Sequence, residues 1–138
     1  MELTDRLIDG LYTEAMLLSD EARAYFDAAG RSDREALTPL QRVSFSCESL
    51  KLTTRLMHVI AWLLSRRSGD EAASAARLGE AGPSAPETVA TLPEAARALI
   101  AASEDLYDRV SRLDRQFRVA SPTANAARSL MTRLERAF

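Results

Sequence analysis

The sequence predicts an all-α protein with three long antiparallel helices packed as a bundle. Ala and Leu together account for 43 of the 138 residues, whereas the strand-favouring Val and Ile account for only 8. Apolar side chains recur at steps of three and four over three long stretches, which is the period of an amphipathic helix. With 46% hydrophobic residues, the chain can bury one core of its own.

The first helix is predicted over about residues 4–29. Apolar side chains from Leu7 to Ala29 follow the helical steps, Thr4 can cap the start, and Gly30 is placed to end the helix. Residues 32–35 have the form of a capping box, but a Thr-Pro pair follows almost at once. We therefore predict a short connector there.

The second helix is predicted over about residues 39–68. Thr38 supplies a capping hydroxyl, Pro39 takes the first helical position, and Gln41 stands three residues after the cap. No residue interrupts the pattern before Gly69. Thirty residues at 1.5 Å each predict a rod of about 45 Å.

The third helix is predicted over about residues 92–117, with Pro93 tolerated in its first turn and Pro122 ending it. Residues 69–91 hold three Gly and two Pro among few large apolar side chains, which predicts a flexible connection. Residues 119–138 have the pattern of a short basic amphipathic helix. The expected organisation is a bundle domain over residues 1–118 followed by this C-terminal segment.

The net charge of −2 hides blocks of alternating sign. Residues 1–38 carry a net −5, 39–69 a net +4, 70–108 a net −6, and 109–138 a net +5. Alternating blocks are typical of helices that attract one another or of a surface that docks a partner. They do not indicate a continuous nucleic-acid groove.

The second helix carries a narrow polar wedge of about 80°, counted at 100° per residue. Trp62 is the exception in this wedge, because an indole stands there among polar side chains. It either anchors a partner or is covered by the connection that begins seven residues later. Partner contact through this wedge would use Glu48, Lys51, Arg55, His58, Trp62 and Arg66, together with Arg128 and Arg133 of the basic C-terminal segment.

The rest of the second helix is apolar or small over about 240°, whereas two neighbours in a three-helix bundle need a stripe of little more than ~100–150°. A third packing surface is left over, and homodimerisation would cover it. The residues expected at a dimer interface are Ser46, Ser49, Thr53, Leu56 and Ile60. The alternative is that the connection or the C-terminal segment folds back over this surface.

No residue pattern predicts catalysis, a metal site or a cofactor. His58 has no carboxylate at helical spacing to orient it, and Cys47 lies on the apolar arc as a small core residue. Asp105 and Asp108 are spaced to pair with Arg109 and Arg112 one turn later. One cysteine cannot form an internal disulfide, and no apolar run approaches the ~20 residues of a membrane span. These features predict a cytoplasmic protein without enzymatic activity.

An alternative function is that of a DNA-associated transcriptional or structural regulator. Four arginines at steps of three, from Arg109 to Arg118, form the row that would contact phosphates. The acidic first helix and a pI near 5.5 argue against it.

The segment Glu48–Leu64 resembles the signature of the family of the regulator of CtrA degradation, RcdA. Residues 21–27 with Gly30 and Arg31 are similar to that family's first-helix signature, and Leu106–Asp114 is similar to its third. Two positions depart from the central signature, because Lys51 stands where the family has Arg and His58 where it has Gln.

The resemblance implies a dimeric three-helix bundle that acts as an adaptor in bacterial cell-cycle proteolysis. Such an adaptor links substrate proteins to the ClpXP protease once a response-regulator-like partner has primed the ClpX unfoldase. The resemblance also implies a cytoplasmic protein concentrated at a cell pole, with partner identity depending in part on the two departures.

Overall fold

The computed structural model describes residues 2–69 and 76–137, and it describes their side chains except those of 119–129 and 132. Within these ranges the protein is all-α and contains no strand. Its elements are α1 (Glu2–Ala24), a π-helical segment (Tyr25–Ala29), α2 (Gly30–Glu35), α3 (Pro39–Arg67), α4 (Pro86–Val89) and α5 (Glu94–Ala137).

The first helical rod runs past the predicted stop at Gly30. The π-helical segment joins α1 to α2 without a break, so the rod extends to Glu35. Gly30 is buried, and a Cβ at this position would lie 2.8 Å from the carbonyl oxygen of Tyr25. Glycine is therefore needed here for close approach to the preceding turn, and not as a helix terminator.

Helix α3 begins where the sequence predicts. The Thr38 hydroxyl accepts from the Gln41 backbone N–H at 3.2 Å, and the Gln41 side chain accepts from the Thr38 N–H at 3.0 Å. This reciprocal capping box confirms the predicted start. The helix ends at Arg67, and Gly69 follows with φ of 72°, a conformation that favours glycine.

Helix α5 continues through Pro122 to Ala137, so the predicted end at this proline is wrong. A proline removes one backbone donor and bends a helix, whereas the alanine-rich residues after it favour helix. The expected separate C-terminal helix is therefore the end of α5 itself.

The helix directions correct the expectation of three antiparallel helices. Helices α1 and α3 are antiparallel, since Asp9 pairs with Arg67 at 3.1 Å near one end and the Tyr25 and Phe45 rings lie 6.3 Å apart near the other. Helices α3 and α5 are parallel, because Arg55 contacts Ser103, and Trp62, later in α3, contacts Asp114, later in α5. The connection makes this possible by running back along α3 before α5 begins.

The three long helices enclose one core. It contains the buried side chains of Leu52, Val59, Leu63, Ile100, Leu106 and Val110. Tyr25, Phe26 and Phe45 form an aromatic cluster at one end, with Phe26 and Phe45 5.3 Å apart. Burial, together with a hydrogen bond from the Tyr25 hydroxyl to Asp33, raises the pKa of Tyr25. No described helix is both long and apolar enough to span a bilayer.

Candidate functional site

Helix α3 presents four different faces around its circumference. One face is the core. A second is the predicted polar wedge, which we call the polar flank, and it carries Glu48, Lys51, Arg55, His58, Trp62 and Arg66. A third lies beside α1 and lines a groove. The fourth, which we call the apolar stripe, carries Val43, Leu50, Met57 and Leu64 at intervals of seven residues, and Met57 also lines the edge of the groove.

The polar flank is largely buried, which corrects its assignment as an open docking surface. Glu48 and Arg55 are each 3% exposed, and Trp62 is 2% exposed. Lys51, His58 and Arg66 are half-buried. The described part of the connection packs along Lys51 and Arg55, and α5 packs against Trp62. Residues 70–75 of the predicted flexible connection lie outside the described residues.

A buried polar cluster joins the flank to the connection. Arg55 donates to the Gly82 carbonyl at 3.0 Å and to the Ser84 hydroxyl at 2.5 Å, and that hydroxyl donates to Glu48. Arg55 also reaches the Ser103 hydroxyl of α5 at 3.4 Å. Buried charges need partners of this kind. The cluster thus accounts for a carboxylate and a guanidinium inside a small bundle.

Other side chains hold backbone carbonyls of the connection. Lys51 donates to Pro83 at 3.1 Å, and Arg66 donates to Ala76 at 2.8 Å. From α5, the Tyr107 hydroxyl donates to Gly79 at 2.7 Å, and burial raises the pKa of Tyr107. Backbone polar groups outside regular structure must find partners, and here long polar side chains provide them.

Trp62 packs against α5 within the chain. Its indole N–H donates to Asp114 at 3.0 Å, and Asp114, 1% exposed, also accepts from Arg118 at 2.7 Å. The Phe117 ring lies 5.8 Å from the indole. The Arg66 guanidinium stacks 4.8 Å from the indole centroid, and burial lowers its pKa against the opposing effect of Asp114. Trp62 is therefore a core anchor between two helices.

The two departures from the family signature both lie against the connection. Lys51 bonds the Pro83 carbonyl, and a Cβ at Gly79 would collide with the His58 ring. They therefore affect how the connection packs, which is a contact within the chain.

The arginine row expected for DNA contact is partly neutralised within the protein. Arg109 pairs with Glu14 and with Asp105, and its hydrogen bond to Glu14 raises the pKa of its guanidinium. Arg118 pairs with the buried Asp114. Only Arg112 and Arg115 of this row stand exposed without a described ion pair, so the row offers few charges for phosphates.

The apolar stripe is exposed along α3. Val43 is 59% exposed, Leu50 69%, Met57 64% and Leu64 46%. Cys47 lies on the same side and is also exposed, so its assignment to the core is wrong. The seven-residue spacing of the stripe is visible in the sequence, but periodicity alone does not show which side of an apolar arc stays exposed.

A groove of about 420 Å³ runs between α1 and α3. Four of the five residues expected at a dimer interface line it, namely Ser49, Thr53, Leu56 and Ile60, whereas Ser46 is half-buried outside it. Leu56 is only 4% exposed and forms part of the groove floor. The first rod contributes Met16, Asp20 and Arg23 from α1, and Phe26 and Asp27 from the π-helical segment.

The described residues contain no group of three or more His, Cys, Asp or Glu side chains that could hold a metal ion. Of the expected C-terminal partner residues, Arg133 is exposed, and the Arg128 side chain lies outside the described residues.

The comparisons with known proteins agree with this architecture. The model of a family described as a protein of unknown function, DUF1465, matches residues 1–138. The solved structure of RcdA from Caulobacter crescentus CB15 is similar, with 36% sequence identity and a TM-score of 0.68. The match covers 80% of this chain and 91% of that one.

The chain belongs to the RcdA-like family DUF1465. This confirms the family that the signature in α3 indicates. Among curated proteins, none matches this DUF1465 member significantly.

Proposed function

We propose that the protein is a non-enzymatic, homodimeric adaptor that delivers substrate proteins to the ClpXP protease. The observation that carries the proposal is the similarity to RcdA, at 36% identity over most of both chains. The resemblance of the α3 segment implies the adaptor role, with the ClpX unfoldase and a response-regulator-like priming partner as the other components.

The exposed apolar stripe supports a function that depends on contact with other proteins. Soluble monomers rarely leave a continuous row of large apolar side chains in water, and such rows mark interaction surfaces. Leu50 and Met57 lie near the middle of the stripe and are more than half exposed. We propose that a substrate protein binds there.

Delivery by an adaptor requires no chemistry of its own. Tethering a substrate beside the unfoldase raises its effective concentration, so that a weak encounter becomes an intramolecular one. The proposal places the adaptor in the cytoplasm, concentrated at a cell pole, and imaging of a fluorescently tagged copy would test that placement.

Reconstituted proteolysis tests the proposal. Purified ClpXP, the priming partner and a candidate substrate are combined with and without the chain, and the loss of substrate is followed over time. We expect faster degradation with the chain present. An unchanged rate across the candidate substrates would contradict the adaptor role.

The stripe is tested in the same assay with Leu50→Lys and Val43→Lys, two stripe residues that do not line the groove. Each should slow delivery by about tenfold, which corresponds to ~1.4 kcal/mol of lost binding. Leu17→Lys is the matched control, because Leu17 is 63% exposed on α1, outside the stripe and the groove. Equal delivery by all three variants would exclude the stripe as the substrate-binding surface.

A further inference from the structure

The last part of α5 extends beyond the bundle and carries apolar side chains that the described protein leaves exposed. Phe117 lies level with Arg66, which is next to the end of α3. The twenty residues from 118 to 137 therefore extend about 30 Å past that end at 1.5 Å per residue. On this extension Leu130 is 60% exposed, Met131 63% and Leu134 53%.

This extension cannot fill the groove of its own chain. The groove lies between α1 and α3 at the level of residues 49–60, back along the bundle from the end of α3. Because α5 is one helix through Ala137, its end points away from that groove. Any occupant with this sequence must come from another copy.

An inverted second copy meets the length requirement. If two copies meet at the end where α3 finishes, the groove of one spans about 9–26 Å from the junction, counted from Arg66 along α3. On the other copy, Leu130 to Leu134 lie about 20–26 Å beyond Phe117, which is within the same range of distances from the junction. A two-fold axis would make both contacts equivalent and close the dimer.

The charges are complementary as well. The groove is bordered by the carboxylates of Asp20 on α1 and Asp27 on the π-helical segment, and by one guanidinium, that of Arg23. Neither carboxylate forms an ion pair with a described residue. The extension is basic, with Arg133 and Arg136 exposed beside the apolar side chains. Complementary charges of this kind fix register and partner choice.

We propose that the end of α5 from a second copy of this chain occupies the groove between α1 and α3, and that the exchange is reciprocal. The inference rests on the homodimer of the proposed function and identifies which segments make it. The apolar side chains of the extension cover the groove floor, and Arg133, about 24 Å beyond Phe117, faces Asp27 across the subunits.

Charge reversal tests the exchange because the two sites lie on different chains. Asp27→Arg and Arg133→Asp, each alone, should weaken self-association by roughly tenfold, since every groove then meets a like charge. An equimolar mixture of the two variants should restore association. In the mixed dimer one contact is native and the other has both charges reversed. Sedimentation velocity of the full-length chains measures all three samples.

Glu21→Arg is the matched control, because it makes the same charge change on α1 at an exposed position outside the groove. It should leave the association constant unchanged. A monomeric wild-type chain, variants that dimerise as well as wild type, or a mixture that stays monomeric would each overturn the exchange.

The delivery assay separates this inference from the proposed function. A chain that fails the mixing test but accelerates degradation remains an adaptor without the exchanged helix. A chain that passes the mixing test without accelerating degradation keeps the exchange and loses the adaptor role.

Discussion

Two sides of α3 reverse the usual relation between polarity and burial. The polar flank, with Glu48 and Arg55 each 3% exposed, lies inside the protein, whereas the apolar stripe, with Leu50 69% exposed, lies in water. The polar flank is inside because it bonds an irregular segment whose backbone needs partners. The apolar stripe is outside because no described part of the chain packs over it. Polarity on this helix therefore indicates internal contacts, and apolarity indicates external ones.

The largest effect that distinguishes the two sides should come from Trp62→Ala. The substitution removes a buried indole packed on Phe117 and leaves Asp114 without its indole donor. We expect the free energy of unfolding to fall by about 3–5 kcal/mol. Urea denaturation followed by circular dichroism measures the change.

Trp62→Phe is the control for the hydrogen bond alone. It keeps most of the packing and removes the N–H donor, so a loss of about 1–2 kcal/mol is expected. If Trp62→Ala cost less than 1 kcal/mol, the indole would not be a core anchor, and its position on the polar flank would need the docking explanation after all.

A smaller effect should come from Gly79→Ala, which tests whether the connection is fitted to the flank. The added Cβ would collide with the His58 ring, so the ring or the segment must move. Overpacking of this kind costs about 1–2 kcal/mol. Gly82→Ala is the matched control, because the nearest atom to its Cβ would be the Lys51 Cε at 3.9 Å.

The double variant Gly79→Ala with His58→Ala sharpens the test. Removing the ring should recover most of the stability that Gly79→Ala loses, and a double-mutant cycle measures this coupling. If Gly79→Ala and Gly82→Ala cost the same with or without His58, the contact between ring and backbone would have no energetic role.

Local signals predicted the all-α fold class and the start of α3. The Thr38 capping box uses only residues within one turn, so the sequence contains the whole signal. The end of α5 was not predictable in this way, because Pro122 is a strong but not absolute helix breaker. The predicted end of the first helix at Gly30 is also wrong, because this glycine is needed for close approach to Tyr25 and does not terminate the helix.

The direction of α5 depends on tertiary contacts and was not visible in the periodicity. A polar wedge on a central helix, followed by a segment rich in Gly and Pro, has two interpretations in a sequence: a docking surface or a site for that segment. The deciding information is the pairing of Arg55 with Gly82 and Ser84, residues 27 and 29 positions away. Long-range partners of this kind follow no local pattern, which is why the sequence leaves partner contact open for the wedge and both interpretations open for Trp62.

The smallest expected effect on stability belongs to the apolar stripe. Leu50→Lys replaces a side chain that is already 69% exposed, and lysine is as good a helix former as leucine. Within the isolated protomer the free energy of unfolding should therefore change by less than about 0.5 kcal/mol. Urea denaturation, at a protein concentration low enough to keep the chain monomeric, measures this change. A loss of 2 kcal/mol or more, as a buried leucine would show, would mean that the stripe is covered within the chain. A small change in stability together with slower substrate delivery would mean that this side of α3 binds other proteins. The stripe would then have no role in folding, and binding would be the physical reason for a row of large apolar side chains in water.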